Sequence, residues 1–237
     1  MRIYIVSRKK IYICIFIIIL IIGAISMLGY RSKGVWNEYK TEPIRKVEVN
    51  SKKMAFTCNV DWGGEHIPKM LEIFKENNIK VTFFITGRWA EKNRELLVKI
   101  KEEGHEIGNH GYSHKLPTKT NKKENIKEIK RTEEAIYKAL SHKTNLFAPP
   151  AGDYNKETLE IAENLGYKVI LWSVDTIDWK KGSTKDIIIK RVFNKDHKGA
   201  ILLMHPKEET IKALPHIIKK IKEEGIHICT VSELINI

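Results

Sequence analysis

The sequence has 237 residues, of which 42% are hydrophobic and 30% are charged, a composition that suits a membrane-tethered or secreted protein with one compact domain. Its net charge of +13 favours anionic surroundings, but the lysines lie beside glutamates on helical segments, which is typical of solvated faces. No RNA- or DNA-binding motif accompanies them, which excludes nucleic acid as a partner, and the three cysteines lie in apolar runs, which excludes a disulfide framework.

An apolar run near the amino terminus predicts a membrane anchor. Arg8, Lys9 and Lys10 precede residues 11–29, which contain no charged side chain and as a helix nearly span a hydrocarbon core of about 30 Å. The run is longer than the apolar region of a cleaved signal peptide, and no good cleavage site follows it. We therefore predict an uncleaved anchor over residues 1–29, in a single-pass protein of the cell membrane whose remaining chain is extracellular.

Residues 30–52 are predicted to be a polar linker, followed by one folded domain over residues 53–237. Within this domain, strand-like segments alternate with segments of helical periodicity. The predicted strands are 54–60, 80–85, 105–108, 145–147, 167–172, 200–204 and 226–231, and the predicted helices include 91–103, 121–140, 156–165, 184–194 and 208–223. About seven strands, each followed by a helix, predict an α/β fold with a parallel barrel, and we expect a monomer.

Polar side chains follow the predicted strands at the ends where the active sites of parallel barrels lie. They are Asn59, Asp61 and Trp62 after the first strand, His110 and His114 after the third, Gly152, Asp153 and Tyr154 after the fourth, Asp175, Asp178 and Trp179 after the fifth, and Leu203 and His205 after the sixth. This clustering is a stronger signal than any single pair of residues, and it predicts a reactive site at one end of the barrel.

His110 and His114 are the first candidates for a metal site, because imidazole is a good ligand for zinc and related divalent ions. They are four residues apart, and on a turn of helix after the strand this spacing puts both rings on one face. Two histidines at this spacing are more often a partly buried polar patch, and a catalytic zinc ion needs a third protein ligand. The pair alone leaves both interpretations open.

Five segments, in this order, resemble the motifs of one family: FTCNVDWG, NHGYSH, FAPPAGDYN, WSVDTIDW and LLMH. Over residues 53–235 the chain resembles the polysaccharide deacetylases, also known as the NodB-homology domain or carbohydrate esterase family 4. The resemblance implies a distorted TIM-like (β/α) barrel of about seven or eight strands and metal-dependent removal of N-acetyl groups from surface glycans. The anchor and the DTIDW segment resemble the branch of spore-forming bacteria that acts on cell-wall or spore peptidoglycan, which implies a cell-wall glycan as the partner.

The resemblance assigns a metal site and a general acid. His110 and His114 match the family's two metal-binding histidines, with zinc as the expected ion and cobalt, nickel or manganese as alternatives. His205 matches the histidine that protonates the departing amine, and Asp175 matches the aspartate that orients this histidine. In that mechanism a metal-bound water supplies the hydroxide that attacks the acetyl carbonyl.

The same resemblance implies substrate contacts at further positions. Trp179 matches the tryptophan that lines the acetyl pocket, and Leu203 belongs to the L-x-H motif. Pro150 and Gly152 match the end of the R-x-P-x-G motif, and Tyr154 lies on the same loop.

Two parts of the family pattern are missing. The family's first motif, TFDD, contains the general base and a metal-ligating aspartate, and Asn59 and Val60 stand at these two positions here. Ala148 replaces the arginine that supports the base. An amide cannot accept a proton at neutral pH, so Asn59 cannot act as the base.

Asp61 is the predicted replacement for a missing carboxylate. Side chains two apart on a strand face the same way, so Asp61 is expected near the direction of Asn59. It is predicted to bind the metal or to act as the base on a metal-bound water, but not both, unless it is simply a loop residue before Gly63. Asp153 is a weaker candidate for the base.

The predicted function is metal-dependent, hydrolytic N-deacetylation of a cell-surface polysaccharide, with peptidoglycan as the expected substrate. Two other classes stay open. A catalytically impaired, glycan-binding member of the same fold is favoured by Asn59 and Ala148. An esterase that acts on O-acetyl sugars, or a hydrolase of another amide, needs a substrate panel to be distinguished.

Overall fold

The computed structural model describes residues 9, 16–20, 42–48 and 51–236. The anchor predicted over residues 1–29 lies mostly outside these residues, and within it only residues 16–20 are described as a helical run. In the described part of the chain, no helix is long and apolar enough to cross a membrane. The chain divides into two compact units, Met1–Lys40 and Thr41–Ile237, and the second carries the sheet.

The larger unit is built on an eight-stranded sheet in which every ladder is parallel. Its strands are β1 (Lys53–Val60), β2 (Thr82–Ile85), β3 (Glu106–Asn109), β4 (Leu146–Phe147), β5 (Lys168–Val169), β6 (Val174–Asp175), β7 (Ile201–Met204) and β8 (His227–Cys229). The strand order is β5-β4-β3-β2-β1-β7-β6, and β8 pairs with the first residues of β1. This order brings the carboxyl ends of β1, β3, β6 and β7 to the same edge.

The sheet forms a half-barrel of parallel strands, which is more open than the distorted TIM-like barrel that the resemblance implies. The strand predicted over residues 167–172 is shorter in the structure, where β5 pairs with β4, and β6 lies beyond the predicted range and pairs with β7. Residues 170–173 separate these short strands, and among the described residues no ladder joins β5 to β6.

Residues 42–48 contact the sheet on both sides of this gap, although they fall in the predicted linker. Ile44 forms a parallel bridge with Ile170, and Lys46 forms an antiparallel bridge with Ala200. The backbone N–H of Ile44 donates to the Val169 carbonyl at 2.8 Å. The folded unit therefore includes part of the segment that its polar composition marks as a linker.

The helices cover the outer side of the sheet. They are α1 (Ile67–Glu76), α2 (Gly87–Lys92), α3 (Arg94–Glu102), α4 (Lys122–Leu140), α5 (Lys156–Asn164), α6 (Lys185–Phe193), α7 (Glu208–Glu223) and α8 (Val231–Ile235). The apolar residues of α1 recur at helical spacing and are buried, as the sequence predicts. The helices α4 and α7 are also amphipathic, and their apolar faces are buried.

Side chains along β1 alternate between the helix-covered face and the inner face of the sheet, and this alternation determines which of them face the site. Phe56, Cys58 and Val60 pack into the large core beneath the helices, whereas Ala55 packs into a smaller cluster with Phe84. Because side chains alternate along a strand, Asn59 faces the inside of the half-barrel, and Asp61, two residues later, continues in the same direction. Val60, at the position of the family's metal-ligating aspartate, packs under the helices.

Candidate active site

A cavity of about 300 Å³ lies at the carboxyl ends of the strands. Its lining residues are Asn59, Asp61, Trp62, His110, His114, Ala151, Trp172, Asp175, Trp179, Leu203 and His205. Most of the residues that the sequence places in the site therefore meet around one space. The volume is at the lower end of the range for pockets that bind small ligands, and it can hold about one sugar ring with its substituent.

His110 is held as a neutral imidazole with one nitrogen free. It is 2% exposed, and its Nδ1 lies 2.6 Å from the Ala148 carbonyl oxygen. Because a carbonyl only accepts, Nδ1 carries the proton and Nε2 keeps its lone pair. Burial, followed by the neighbouring His114, lowers the pKa of His110 to about 3. The pKa of His114 is also lowered, mainly by burial.

The two imidazoles meet, but not on a helix. The rings of His110 and His114 lie 5.1 Å apart between centroids at an interplanar angle of 73°. The predicted turn of helix is wrong, because the chain after β3 is a loop in which His114 has a φ of 60°. Glu128 on α4 holds this loop by accepting from the backbone N–H and the hydroxyl of Ser113, each at 2.7 Å.

Asp61 lines the cavity but is occupied by neighbouring donors. Its Oδ1 accepts from Arg88 Nε at 2.7 Å and from Thr86 Oγ1 at 2.8 Å, and its Oδ2 accepts from Arg88 Nη2. Burial alone would raise the pKa of Asp61, but the hydrogen bonds from Arg88 and Thr86 outweigh it, and the pKa is lowered. Asp61 is thus an ionised carboxylate with both oxygens engaged.

The donor set does not fit a resident zinc ion. Among the described residues, no group of three His, Cys, Asp or Glu side chains is arranged to hold a metal. His110 and His114 offer two imidazoles, but Val60 packs into the core and Asp61 is paired with Arg88. Asn59 Oδ1 is buried without a partner within the described structure, and a neutral amide oxygen is a poor substitute for a carboxylate on zinc. His110, His114 and Asp61 all line the cavity, but among the described residues they do not form a group arranged to hold a metal.

The partner of His205 is Asp178 rather than Asp175. Asp178 Oδ1 lies 2.7 Å from His205 Nδ1, and its Oδ2 accepts from the His205 backbone N–H and from Thr210 Oγ1, both at 2.7 Å. The prediction that Asp175 orients His205 is wrong, because Asp175 Oδ1 instead accepts from the Ile177 N–H at 2.7 Å. Asp175 lines the cavity, and burial raises its pKa.

Three tryptophans form much of the cavity wall. Trp62 stacks on His205 with 5.8 Å between ring centroids and an interplanar angle of 10°. Trp62 is 44% exposed and Trp179 is 55% exposed, so both present open indole surface. Trp172 is fixed from behind by Gly152, where a Cβ atom would lie 2.7 Å from the indole and the φ is 66°. The sequence interpretation assigned no role to Trp62 or Trp172, although Trp62 was placed at a strand end.

The remaining predicted contacts divide into lining and supporting residues. Leu203 lines the cavity as predicted, whereas Pro150, Gly152 and Tyr154 do not. Asp153 accepts from the backbone N–H and hydroxyl of Thr118, each at 2.8 Å, which leaves it outside the cavity as well. Ala151 brings the loop after β4 to the cavity wall, whereas the predicted residues of this loop do not line the cavity.

Known proteins share both the sequence and this architecture. A family model described as "Polysaccharide deacetylase" matches residues 46–170. The chain belongs to the polysaccharide deacetylase family. Among curated polysaccharide deacetylase relatives, it is 33% identical to the peptidoglycan-N-acetylglucosamine deacetylase of Bacillus cereus, over 78% of this chain and 69% of that protein.

Three further similarities concern one curated protein and two solved structures. The chain is 38% identical to the uncharacterized protein YlxY of Bacillus subtilis, over 82% of this chain and 61% of that protein, so it spans about three fifths of that relative. A solved structure described as a CE4 family pseudoenzyme from Bacillus anthracis superposes with a TM-score of 0.80 at 38% identity, over 83% of this chain and 70% of that chain. A mutant of that pseudoenzyme, described as having restored enzymatic activity, is 36% identical and has the same TM-score of 0.80. The polysaccharide deacetylase fold is thus shared by relatives named as enzymes and by one named as a pseudoenzyme.

Proposed function

We propose that this protein binds an N-acetylated cell-wall glycan in the strand-end cavity without hydrolysing it efficiently. The observation that carries the proposal is the state of Asp61, whose two carboxylate oxygens are taken by Arg88 and Thr86. With Asn59 in place of the base, the cavity keeps its binding surfaces but lacks a free carboxylate at the position of the family's first motif.

The walls of the cavity suit a sugar. The open indole faces of Trp62 and Trp179 can stack on the apolar faces of pyranose rings. Asn59 Oδ1 is a buried acceptor without a partner among the described residues, which is costly, and His110 Nε2 is a second acceptor on a residue that lines the cavity. The hydroxyl groups and the acetamide N–H of an N-acetylated sugar supply the donors that these atoms lack.

Peptidoglycan is the proposed source of the glycan, because relatives at about one third identity are named as peptidoglycan deacetylases, including the peptidoglycan-N-acetylglucosamine deacetylase PgdA of Listeria monocytogenes at 33%. The proposal places the domain outside the cell as a monomer, attached by the apolar segment over residues 11–29. Protease added to intact protoplasts is expected to remove the domain, and a protected domain would contradict this location. A role in sporulation belongs to the same proposal.

The binding test compares N-acetylglucosamine oligomers with the corresponding free-amine oligomers by isothermal titration calorimetry. We expect saturable binding of the N-acetylated oligomer and weaker binding of the free amine, because the cavity would lose its acetamide contact. Trp179→Ala should weaken binding, whereas Tyr137→Ala, an exposed aromatic on α4 away from the cavity, is the matched control. Equal affinities for the two oligomers would contradict recognition of the acetyl group.

Slow hydrolysis is the second candidate function, because the His205–Asp178 pair is intact. The contact of Asp178 with Nδ1 fixes the His205 ring, whose Nε2 is the atom that would donate a proton to a departing amine. Asp175 is the cavity carboxylate whose pKa burial raises, which suits a group that accepts a proton from water. Acetate release that disappears in His205→Ala and Asp175→Asn would establish this function, and release of acetate from O-acetylated but not N-acetylated sugars would identify an esterase.

A further inference from the structure

We propose that Arg88 holds the cavity in a metal-free state, by occupying the carboxylate of Asp61 that would otherwise complete a zinc site with His110 and His114. The inference rests on the proposed function in one respect, namely that the resting cavity works without a metal. Beyond the proposed function, the metal-free state then depends on the side chain of Arg88, which a single substitution can remove.

The contact between Arg88 and Asp61 is a fork-to-fork ion pair. Arg88 Nε donates to Oδ1 at 2.7 Å and Nη2 donates to Oδ2, so the planar guanidinium covers both carboxylate oxygens. Bidentate pairs of this kind are the strong form of the arginine–carboxylate contact. Asp61 is 12% exposed, which limits the competition from water, and Thr86 Oγ1 adds a donor to Oδ1. A metal ion at Asp61 must displace these donors.

The backbone fixes Arg88 relative to the two histidines. The N–H of Gly87 donates to the Gly111 carbonyl at 3.1 Å, and the N–H of Arg88 donates to the Tyr112 carbonyl at 3.0 Å. Gly111 and Tyr112 lie between His110 and His114, so the first residues of α2 are bonded to the loop that carries both imidazoles. The guanidinium is therefore presented to Asp61 by the same frame that places the histidines.

The positive charge of Arg88 also opposes the binding of a metal ion at Asp61. A divalent cation near His110 and His114 would share Asp61 with a guanidinium that stays positive at every accessible pH. Without Arg88, Asp61 would keep only the Thr86 hydroxyl and would present a free carboxylate to the cavity that both histidines line. Two imidazoles and one carboxylate form a common zinc ligand set with an open position.

The test measures the zinc affinity of the full-length, metal-free protein in mild detergent by competition with a chromogenic chelator. Arg88→Gln is expected to bind zinc about 10-fold more tightly than wild type, which corresponds to roughly 1.4 kcal/mol. Arg88→Lys keeps the charge but loses the fork, so a smaller gain is expected. Arg94→Gln is the matched control, because Arg94 is an exposed arginine whose guanidinium contacts only the Lys138 carbonyl, at 3.4 Å, among the hydrogen bonds of the described residues.

A second substitution, added to Arg88→Gln, identifies the residues that bind the zinc ion. Arg88→Gln combined with Asp61→Asn should return the zinc affinity to the wild-type value, and Arg88→Gln combined with His110→Ala should do the same. If Arg88→Gln folds, as judged by circular dichroism, and its zinc affinity equals that of wild type, the proposal is overturned. It is overturned equally if the gain survives Asp61→Asn. Should Arg88→Gln fail to fold, an Arg88→Lys variant with unchanged zinc affinity decides against it.

The same titration separates this proposal from the proposed function. Tight, stoichiometric zinc binding by the wild-type protein would overturn both the Arg88 proposal and the metal-free function. Weak binding by wild type and by every Arg88 variant would overturn only the role of Arg88, and the glycan-binding proposal would stand.

Discussion

Replacing Asp178 by asparagine is expected to lower the free energy of unfolding by about 2–4 kcal/mol. The Asp178 side chain is 0% exposed and accepts from the His205 backbone N–H, from His205 Nδ1 and from Thr210 Oγ1. A hydrogen bond to a buried charged group contributes roughly 1.5–3 kcal/mol. Asparagine keeps one acceptor oxygen and turns an NH₂ group toward donors, so at least one of these bonds is lost.

The pH dependence of this loss follows from the pKa of Asp178. Burial would raise the pKa, but the hydrogen bonds and charge of His205 outweigh burial and lower it. A carboxylate with a lowered pKa stabilises the fold above its unfolded pKa of about 4, and this stabilisation is lost as the pH falls through the folded pKa. The difference between wild type and Asp178→Asn should therefore be full at pH 7 and shrink in acid.

Asp175→Asn is the matched control, because the pKa of Asp175 is shifted in the opposite direction. Burial raises it, so ionised Asp175 costs stability as the pH rises from its unfolded pKa to its folded pKa. At pH 7 its replacement by asparagine should be neutral or slightly stabilising. Urea unfolding of both variants, followed from pH 7 down to about pH 2, tests the difference. Equal effects of the two substitutions, or an Asp178→Asn effect that grows in acid, would refute the assignment of Asp178 as the buried partner of His205.

The other predictions concern the cavity wall and the missing base. Trp62→Ala should weaken binding of N-acetylglucosamine oligomers by up to about 10-fold, measured by calorimetry, because a stacking aromatic ring contributes roughly 0.5–1.5 kcal/mol. Gly152→Ala should lower the free energy of unfolding by about 2–3 kcal/mol, because it combines a positive φ with a clash against an indole. Gly166→Ala has a similar φ of 80° and nothing within 4 Å, so it should cost about 1 kcal/mol. Asn59→Asp with Ala148→Arg should raise acetate release by more than the product of the single changes, since a base needs its support.

Each of these predictions can fail separately. Unchanged glycan affinity in Trp62→Ala would remove this indole from the binding surface. Equal destabilisation by the two glycine substitutions would show that the backbone conformation, and not the indole behind the cavity wall, sets the cost. If the Asn59→Asp, Ala148→Arg double variant releases no acetate, restoring the base and its supporting arginine is not sufficient for activity.

Local pattern predicts the elements well where burial alternates or recurs over many residues. β1 and α1 follow their apolar periods because one side of each packs into the same core. The strand predicted over residues 167–172 is reduced to β5, and β6 follows it as a separate strand, because pairing with β4 and β7, which the local pattern does not contain, decides where each strand ends. Residues 42–48 were assigned to a linker for the same reason, since their partners lie more than a hundred residues away.

The sequence predicts which residues lie at the site, but not which of them form hydrogen bonds or ion pairs with each other. The strand-end rule brings His110, Asp175 and His205 to one cavity, because the carboxyl ends of parallel strands share an edge. Which aspartate of DTIDW contacts His205 depends on the turn after β6, where Ile177 has a φ of 48°. The local sequence does not reveal that turn. The ion pair of Asp61 was missed because Arg88 is 27 residues away and lies on another element.

We propose that the cavity binds an N-acetylated glycan without a metal and without rapid hydrolysis. Saturation-transfer NMR on the full-length protein with an N-acetylglucosamine tetramer, in the presence of EDTA, tests both parts in one sample. We expect saturation transfer from the protein to the acetyl methyl protons, with no growth of a free acetate signal over the experiment. Absence of transfer, or transfer that arises only after zinc replaces EDTA and is followed by acetate release, would contradict it.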